Sequence, residues 1–321
     1  MNFENIEKAF ELILENSQLI ENELKTHIYD ALIEQNSFYL GAEGASEQVA
    51  KNNEVLRSLN LSKEEWRRAF QFIFIKVGQT EKLQANHQFT PDSLGFLILF
   101  LIETLTQEDS LDILEIGSGT GNLAQTLLNN SGKQLDYLGI EVDDLLIDLS
   151  ASIAEIMNST ARFVQEDAVR PQILKESHII ISDLPVGYYP NDEIASRYQV
   201  ASPDGHTYAH HLLMEQALKY LKQDGFAIFL APASLLQSQQ SHLLKEWLKG
   251  YAQLSAVITL PETFFGDPSV AKSLIVLQKQ SDKKGETFVY PLTDLQSADK
   301  VRLFMENFKN GKLIMSFHDI F

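Results

Sequence analysis

The chain has 321 residues, 44% of them hydrophobic, which is enough for one large domain plus a small one around a sizeable core. It holds no cysteine, which excludes disulfides, thiolate metal sites and a cysteine nucleophile. A formal net charge of −18 with Lys and Arg scattered along the chain argues against a tight grip on duplex nucleic acid, although a basic face can still assemble in three dimensions.

Residues 1–85 read as a helical N-terminal domain. Phe3, Ile6, Phe10, Ile13 and Leu14 fall at helical spacing, as do Leu19, Ile20, Leu24, Ile28 and Leu32. Gly41 to Gly44 breaks the pattern. Ser62 and Glu65 form a capping box for a helix carrying Trp66, Phe70, Ile73 and Val77, aromatic and aliphatic residues expected in a core rather than on a base-stacking platform. Lys82 to Phe89 is polar and reads as a linker. Thr90 then suits an N-cap and Pro91 the first helical position of the apolar helix Leu94 to Leu105. The stretch Leu94 to Ile102 is too short to cross a bilayer, and Met1 to Asn5 lacks a signal-peptide pattern. A cytoplasmic protein without a membrane partner is therefore expected.

From 86 to 321 the chain alternates. Strands are expected at Ile113–Ile116, Tyr137–Ile140, Arg162–Gln165, His178–Ser182, Gly225–Leu230, Leu254–Leu260 and Ser273–Leu277. Helices are expected at Asn122–Leu128, Asp143–Met157, Tyr208–Leu221 and Ser234–Leu248. The last two strands are joined without room for a helix and should be antiparallel. The fold class is α/β: a Rossmann-like, seven-stranded, mostly parallel sheet with helices on both faces, in the order 3-2-1-4-5-7-6. The tail, 283–321, should pack on this domain and add a strand near Phe288 to Tyr290 and a helix near Asp299 to Phe308.

The turn after the first strand reads Gly117-Ser-Gly119-Thr-Gly121 and opens a helix, the arrangement that brings backbone close to a nucleotide. Its spacing is G-x-G-x-G, whereas the dinucleotide fingerprint is G-x-G-x-x-G. Glu115 lies two residues before the first glycine, where a pyrophosphate gains nothing from a carboxylate. S-adenosylmethionine carries a sulfonium and an ammonium, and an acid can hold both cations. Glu141 follows Gly121 by 20 residues, at a strand end suited to both ribose hydroxyls. Asn122, Leu123 and Val142, beside these positions, belong to the same candidate cofactor set.

Ligands of open parallel sheets sit at the carboxyl ends of the strands, and Glu115, Glu141, Asp167 and Asp183 each fall at such an end. Asp167 and Ala168 suit the adenine of the cofactor; capping the turn before Pro171 is the competing role for Asp167. Asp183-Leu184-Pro185-Val186 can present a carboxylate and a carbonyl to one amine, whose nitrogen then attacks the methyl group.

These stretches resemble the amino-group adenine DNA methyltransferases, especially the modification subunit of type I restriction systems and the small Gram-positive proteins of the YtxK kind. The resemblance rests on His87 to Pro91, Ile113 to Gly121, Asp183 to Val186, Leu230 to Pro232, Ile258 to Phe265 and Ser273 to Leu277. It implies that Phe89, Thr90 and the glycine turn hold S-adenosylmethionine and that Asp183, Leu184 and Pro185 seat a flipped adenine. It implies DNA as a partner, which the net charge disfavours. The family tetrapeptide, Asp/Asn-Pro-Pro-Tyr/Phe, is altered here. Leu184 replaces the first proline but keeps its carbonyl, and Val186 cannot stack on a base. Tyr188 and Tyr189 are the candidate substitutes, with loop packing the equal alternative.

The expected function is thus methyl transfer from S-adenosylmethionine to an exocyclic amine. A cofactor-binding protein without catalysis, acting through its N-terminal helices, and a methyltransferase for RNA or a protein amide are the alternatives. His206, His210 and His211 are expected to cap or pack, not to bind metal. Phe264 to Pro268 lines the substrate mouth or closes a hairpin.

Overall fold

The computed structural model describes residues 1–80, 90–261, 264–265, 271–279 and 286–311. Four helices come first: α1 (Phe3–Leu24), α2 (Ile28–Leu40), α3 (Glu47–Ser58) and α4 (Lys63–Thr80). Then follow α5 (Asp92–Leu105), β1 (Ser110–Ile116), α6 (Asn122–Asn130), β2 (Gln134–Glu141), α7 (Asp144–Ile156), β3 (Arg162–Gln165) and β4 (Ser177–Asp183). The chain continues with α8 (Asp192–Ala195), α9 (Ala209–Lys219), β5 (Leu221–Pro232), α10 (Ser241–Tyr251), β6 (Ala252–Thr259), β7 (Lys272–Lys279), β8 (Phe288–Pro291) and α11 (Ala298–Lys309).

Two compact units are built from these elements. The first comprises Met1–Gly95, Ser118–Ser131 and Tyr137–Gln165. Its core joins Ile6 and Ile13 of α1, Leu32 of α2, and Phe70 and Ile73 of α4 to Leu149 and Ile153 of α7. Trp66 stacks on Phe70 at 5.8 Å, so the aromatic stripe of α4 is core, as its spacing suggested. Ser62 and Glu65 exchange the capping-box bonds, Ser62 N–H donating to Glu65 at 2.9 Å and Glu65 N–H to Ser62 Oγ at 3.4 Å. The boundary expected near residue 85 lies outside the described residues.

Arg67 ties this unit together. Its side chain is 1% exposed and meets Glu64 at 2.6 Å and Asp92 at 2.7 Å. It also donates to Thr126 Oγ1 of α6 at 3.3 Å. One buried cation thereby pins the start of α5 and the body of α6 to α4. A guanidinium taken out of water needs this many partners to hold its charge.

The second unit comprises Phe96–Gly117, Gly132–Asp136 and Glu166–Phe321. Its strands β1, β4 and β5 run parallel. β7 runs antiparallel to both β5 and β6, because the connection from β6 is too short for a crossover. Among the described residues the sheet has eight strands in the order β3-β2-β1-β4-β5-β7-β6-β8. The expected count of seven is therefore corrected: the expected order recurs, and β8 extends it by pairing parallel to β6. β8 is the strand expected in the tail near Phe288 to Tyr290; what differs is that it joins this sheet as an eighth strand.

Several boundaries also differ from expectation: α9 ends at Lys219, and Leu221, expected in that helix, opens β5 four residues before Gly225. α10 starts at Ser241 rather than Ser234, because Leu235, Gln237 and Ser241 donate to Pro232, Ser234 and Ser238 in successive turns. Ser238 Oγ turns back on the Leu235 carbonyl, the competition by which serines spoil a helix. α5 starts at Asp92, and the Pro91 carbonyl accepts the first helical N–H groups, so the cap is one residue later than Thr90. Among the described residues no helix is long and apolar enough to cross a membrane.

Candidate functional site

The expected site residues are distributed over both units, and each unit's share is taken in turn. Gly117, Gly119 and Gly121 have φ of 75°, 52° and 74°, a region that side-chain-bearing residues avoid. A Cβ on Gly117 or Gly119 would meet nothing within 4 Å, so both leave open space against the backbone. A Cβ on Gly121 would lie 2.9 Å from Phe163 and 3.1 Å from Ser150. The third glycine is thus a packing requirement, and the first two are the open cradle.

In the first unit Glu141, the last residue of β2, braces that turn. One carboxylate oxygen accepts the Gly119 N–H at 2.9 Å, and the other accepts the Val142 and Asp143 N–H groups at 2.8 and 3.1 Å. Asp143 caps α7 by accepting the Leu146 N–H at 3.0 Å. Asn122 is buried and donates to the Thr90 carbonyl at 2.8 Å, joining two expected cofactor residues. Leu123 is buried as well, so it can offer a ligand only its backbone. Val142 is 65% exposed. Phe89 lies outside the described residues.

In the second unit Glu115 is buried on β1. Asp167 follows β3, and its carboxylate accepts the Val169 N–H at 3.0 Å and the Tyr189 hydroxyl at 2.6 Å. It therefore caps its turn, the competing role foreseen for it, and anchors the Tyr189 hydroxyl; burial and this acid push the Tyr189 hydroxyl up to about 12. Ala168 sits half-buried in the same turn.

Asp183 closes β4 and is half-buried. Burial raises its carboxyl above the ordinary aspartate range, and Lys272 opposes that rise. Lys272 Nζ is hydrogen-bonded to Asp183 and stands 3.5 Å from the Leu184 carbonyl. Leu184 is fully buried, and its N–H donates to the Leu230 carbonyl at 2.9 Å, which fixes the tetrapeptide to β5. The Pro185 carbonyl lies 3.2 Å from His210 Nδ1. A carbonyl only accepts, so that nitrogen carries the proton. Burial lowers the His210 pKa to about 4.

The aromatic beyond the tetrapeptide is Tyr188. Its ring stacks on Tyr208 at 4.8 Å and 13°, and Tyr208 stacks on His210 at 4.9 Å and 16°. Tyr188 ends this three-ring column and is 54% exposed, whereas Tyr189 is turned to Asp167. Val186 is 49% exposed beside them. His211 packs edge-on against Tyr208 and His210, and the His206 N–H donates to Asp192 at 2.8 Å. Among the described residues no group of three His, Asp or Glu could hold a metal. Of the loop Phe264 to Pro268 only Phe264 and Phe265 are described.

Lys272 and the Tyr188–Tyr208–His210 column carry no motif in the sequence. Both become visible only once β7 is placed antiparallel beside β5 and α9 is docked under the loop. Within each unit taken by itself the chemistry suits S-adenosylmethionine, a cation bearing hydroxyls: open space at Gly119 beside Glu141 in the first, and the strand-end acids Glu115 and Asp183 in the second.

Residues 62–318 match the sequence profile of the N-6 DNA methylase family. The uncharacterized protein YtxK of Bacillus subtilis (strain 168) is 34% identical over 274 residues, 82% of this chain and 83% of its own. The methylase subunit of the type I restriction enzyme MpnII from Mycoplasma pneumoniae is 21% identical, over 68% of this chain and 45% of that subunit. Among solved structures, a Listeria monocytogenes protein described as a candidate class I S-adenosylmethionine-dependent methyltransferase superposes with a TM-score of 0.89 at 28% identity, covering 96% of this chain and 99% of that one. The methyltransferase subunit of a Streptococcus thermophilus type I restriction-modification system superposes with a TM-score of 0.68 at 14% identity, over 97% of this chain and 77% of that one, a likeness of fold.

Proposed function

The chain belongs to the N-6 DNA methylase family, and from that membership we propose that it methylates the exocyclic amino group of adenine in DNA. It is an S-adenosylmethionine-dependent methyltransferase that resembles adenine-specific DNA methylases. The cofactor, when bound, supplies an electrophilic methyl group on a sulfonium. Thr90, Glu115, Gly117, Gly119, Gly121, Asn122, Leu123, Glu141, Val142, Asp167 and Ala168 hold it in this reading, and the resemblance to the family adds Phe89. Leu123 contributes backbone only, and Glu141 acts both on the glycine turn and on the ligand.

Asp183 and the Leu184 carbonyl accept the two amino hydrogens and aim the nitrogen lone pair. As the nitrogen becomes positive, both acceptors gain strength, so the seat favours the transition state over the bound amine. Pro185 stiffens the loop, and Tyr188 offers its ring to the base. The observation that carries this reading is Lys272: a nitrogen already rests on Asp183 and faces the Leu184 carbonyl, so the pair can hold an amine.

The same reading makes 86–321 the catalytic domain and 1–85 a helical domain that meets a protein partner. Such a partner would add positive surface to a chain whose net charge is −18. A cytoplasmic place follows from the substrate. Incubation with tritiated S-adenosylmethionine and equal masses of DNA, RNA and protein tests the acceptor. Label in DNA, recovered as N6-methyladenine, supports the reading; label confined to RNA or protein overturns it.

A further inference from the structure

Lys272 opens β7, where it pairs with Pro232 of β5, and Leu230 of β5 pairs with Asp183 of β4. The register therefore carries a lysine across one strand to the carboxylate. The Lys272 side chain is 17% exposed and that of Asp183 is 29% exposed. No Lys or Arg occurs between Asp183 and Glu193, so the loop that frames the seat has no cation of its own.

A neutral amine that takes the seat must displace an ammonium. The displaced charge loses its Asp183 partner while its side chain is only 17% exposed, which is unfavourable. A free base or a protein amide brings no anion to compensate. A nucleotide within a strand brings a phosphodiester one sugar away from its base. A lysine on a four-carbon stem can leave a carboxylate for such an oxygen.

We propose that Lys272 is a specificity residue that guards the amine seat and surrenders it only to a nucleotide carrying a phosphodiester, to which its ammonium transfers. This inference rests on the reading of Asp183 and Leu184 as the amine seat and deepens it: the acceptor is an adenine within a charged strand. Exchange of one anion for another keeps the ammonium paired throughout, while Asp183 is uncovered for the amine.

The test is fluorescence anisotropy with S-adenosylhomocysteine present. The probes are a fluorescein-labelled single-stranded DNA oligonucleotide containing one adenine and the same oligonucleotide with uncharged methylphosphonate links flanking that adenine. Wild type should bind the charged probe about 10-fold more tightly, a charge-assisted contact being worth about one decade. Lys272→Met should bind the two probes alike and show a salt slope lower by about one, and Lys272→Arg should restore the preference. A Lys272→Met ratio equal to that of wild type overturns the inference, as does a wild type indifferent to the charge, and both leave the adenine reading standing. Failure of wild type and both variants to bind either probe, with S-adenosylhomocysteine still binding by calorimetry, overturns the nucleic-acid reading and this inference together.

Discussion

The Glu141 carboxylate accepts the Gly119 N–H at 2.9 Å, so an acid at the end of β2 shapes the glycine turn. Its second oxygen holds the Val142 and Asp143 N–H groups. Replacement by alanine leaves three backbone donors unmet and loosens the turn. Glu141→Ala should lose at least about 10-fold in S-adenosylmethionine affinity by calorimetry, since one charge-assisted bond is worth about 1.5–3 kcal/mol. An unchanged affinity would leave Glu141 a purely local brace.

Tyr188 ends a ring column that His210 anchors on the Pro185 carbonyl. Tyr188→Ala should weaken adenine-oligonucleotide binding by about 1–3 kcal/mol, the worth of stacking one base. Tyr188→Phe keeps the ring and should bind nearly as wild type. Equal binding by the alanine variant would assign the ring to loop packing alone.

Arg67 is a buried cation with Glu64, Asp92 and Thr126 as partners. Arg67→Met removes the buried cation and its bond to Thr126, while Arg68 still pairs with Glu64 at 3.2 Å and Asp92 at 2.5 Å. Urea denaturation should register a loss of about 1.5–3 kcal/mol, the worth of hydrogen bonds to a charged group, because neither carboxylate is left unpaired. A loss below about 1 kcal/mol would show that α5 and α6 are held by apolar packing instead.

Burial, with His210 adding to it, lowers the His211 pKa from 6.5 to about 3. The unfolded chain takes up a proton below about pH 6.5, and the folded chain does so only near pH 3. The stability that comes from keeping this ring neutral is complete above pH 6.5 and is lost as the pH falls toward 3. His211→Phe removes that dependence. Relative to wild type it should gain about 3 kcal/mol between pH 7 and pH 4, measured by urea denaturation at each pH. Parallel curves for the two proteins would mean that His211 is hydrated.

Much of the fold was legible because local signals agreed. Ser62 with Glu65 marked the start of α4, Asp143 marked the start of α7, and the short β6–β7 connection fixed an antiparallel pair. What was hidden depended on tertiary placement. The strand at Phe288 to Tyr290 was expected, but its pairing with β6, which makes it the eighth strand of the sheet, was not. The α10 boundary moved because the chain turns at Pro232 to Ser241 and the Ser238 hydroxyl takes the Leu235 carbonyl. In the candidate site the glycine turn and the strand-end acids stood out, but spacing could not tell that Glu141 and Asp167 spend their oxygens on backbone and on Tyr189. Lys272 lies 89 residues from Asp183, and only the β4-β5-β7 register brings them together.

The seat at Asp183 is tested most directly by methyl transfer at saturating S-adenosylmethionine, wild type against Asp183→Ala, with an adenine-containing DNA and the product nucleoside identified by mass spectrometry. The predicted result is N6-methyladenine from wild type and a loss of at least about 100-fold in the variant, two or three kcal/mol of transition-state stabilisation, with cofactor affinity kept within about 3-fold. Undiminished turnover by Asp183→Ala, or a methyl group on any atom other than an amino nitrogen, would contradict it.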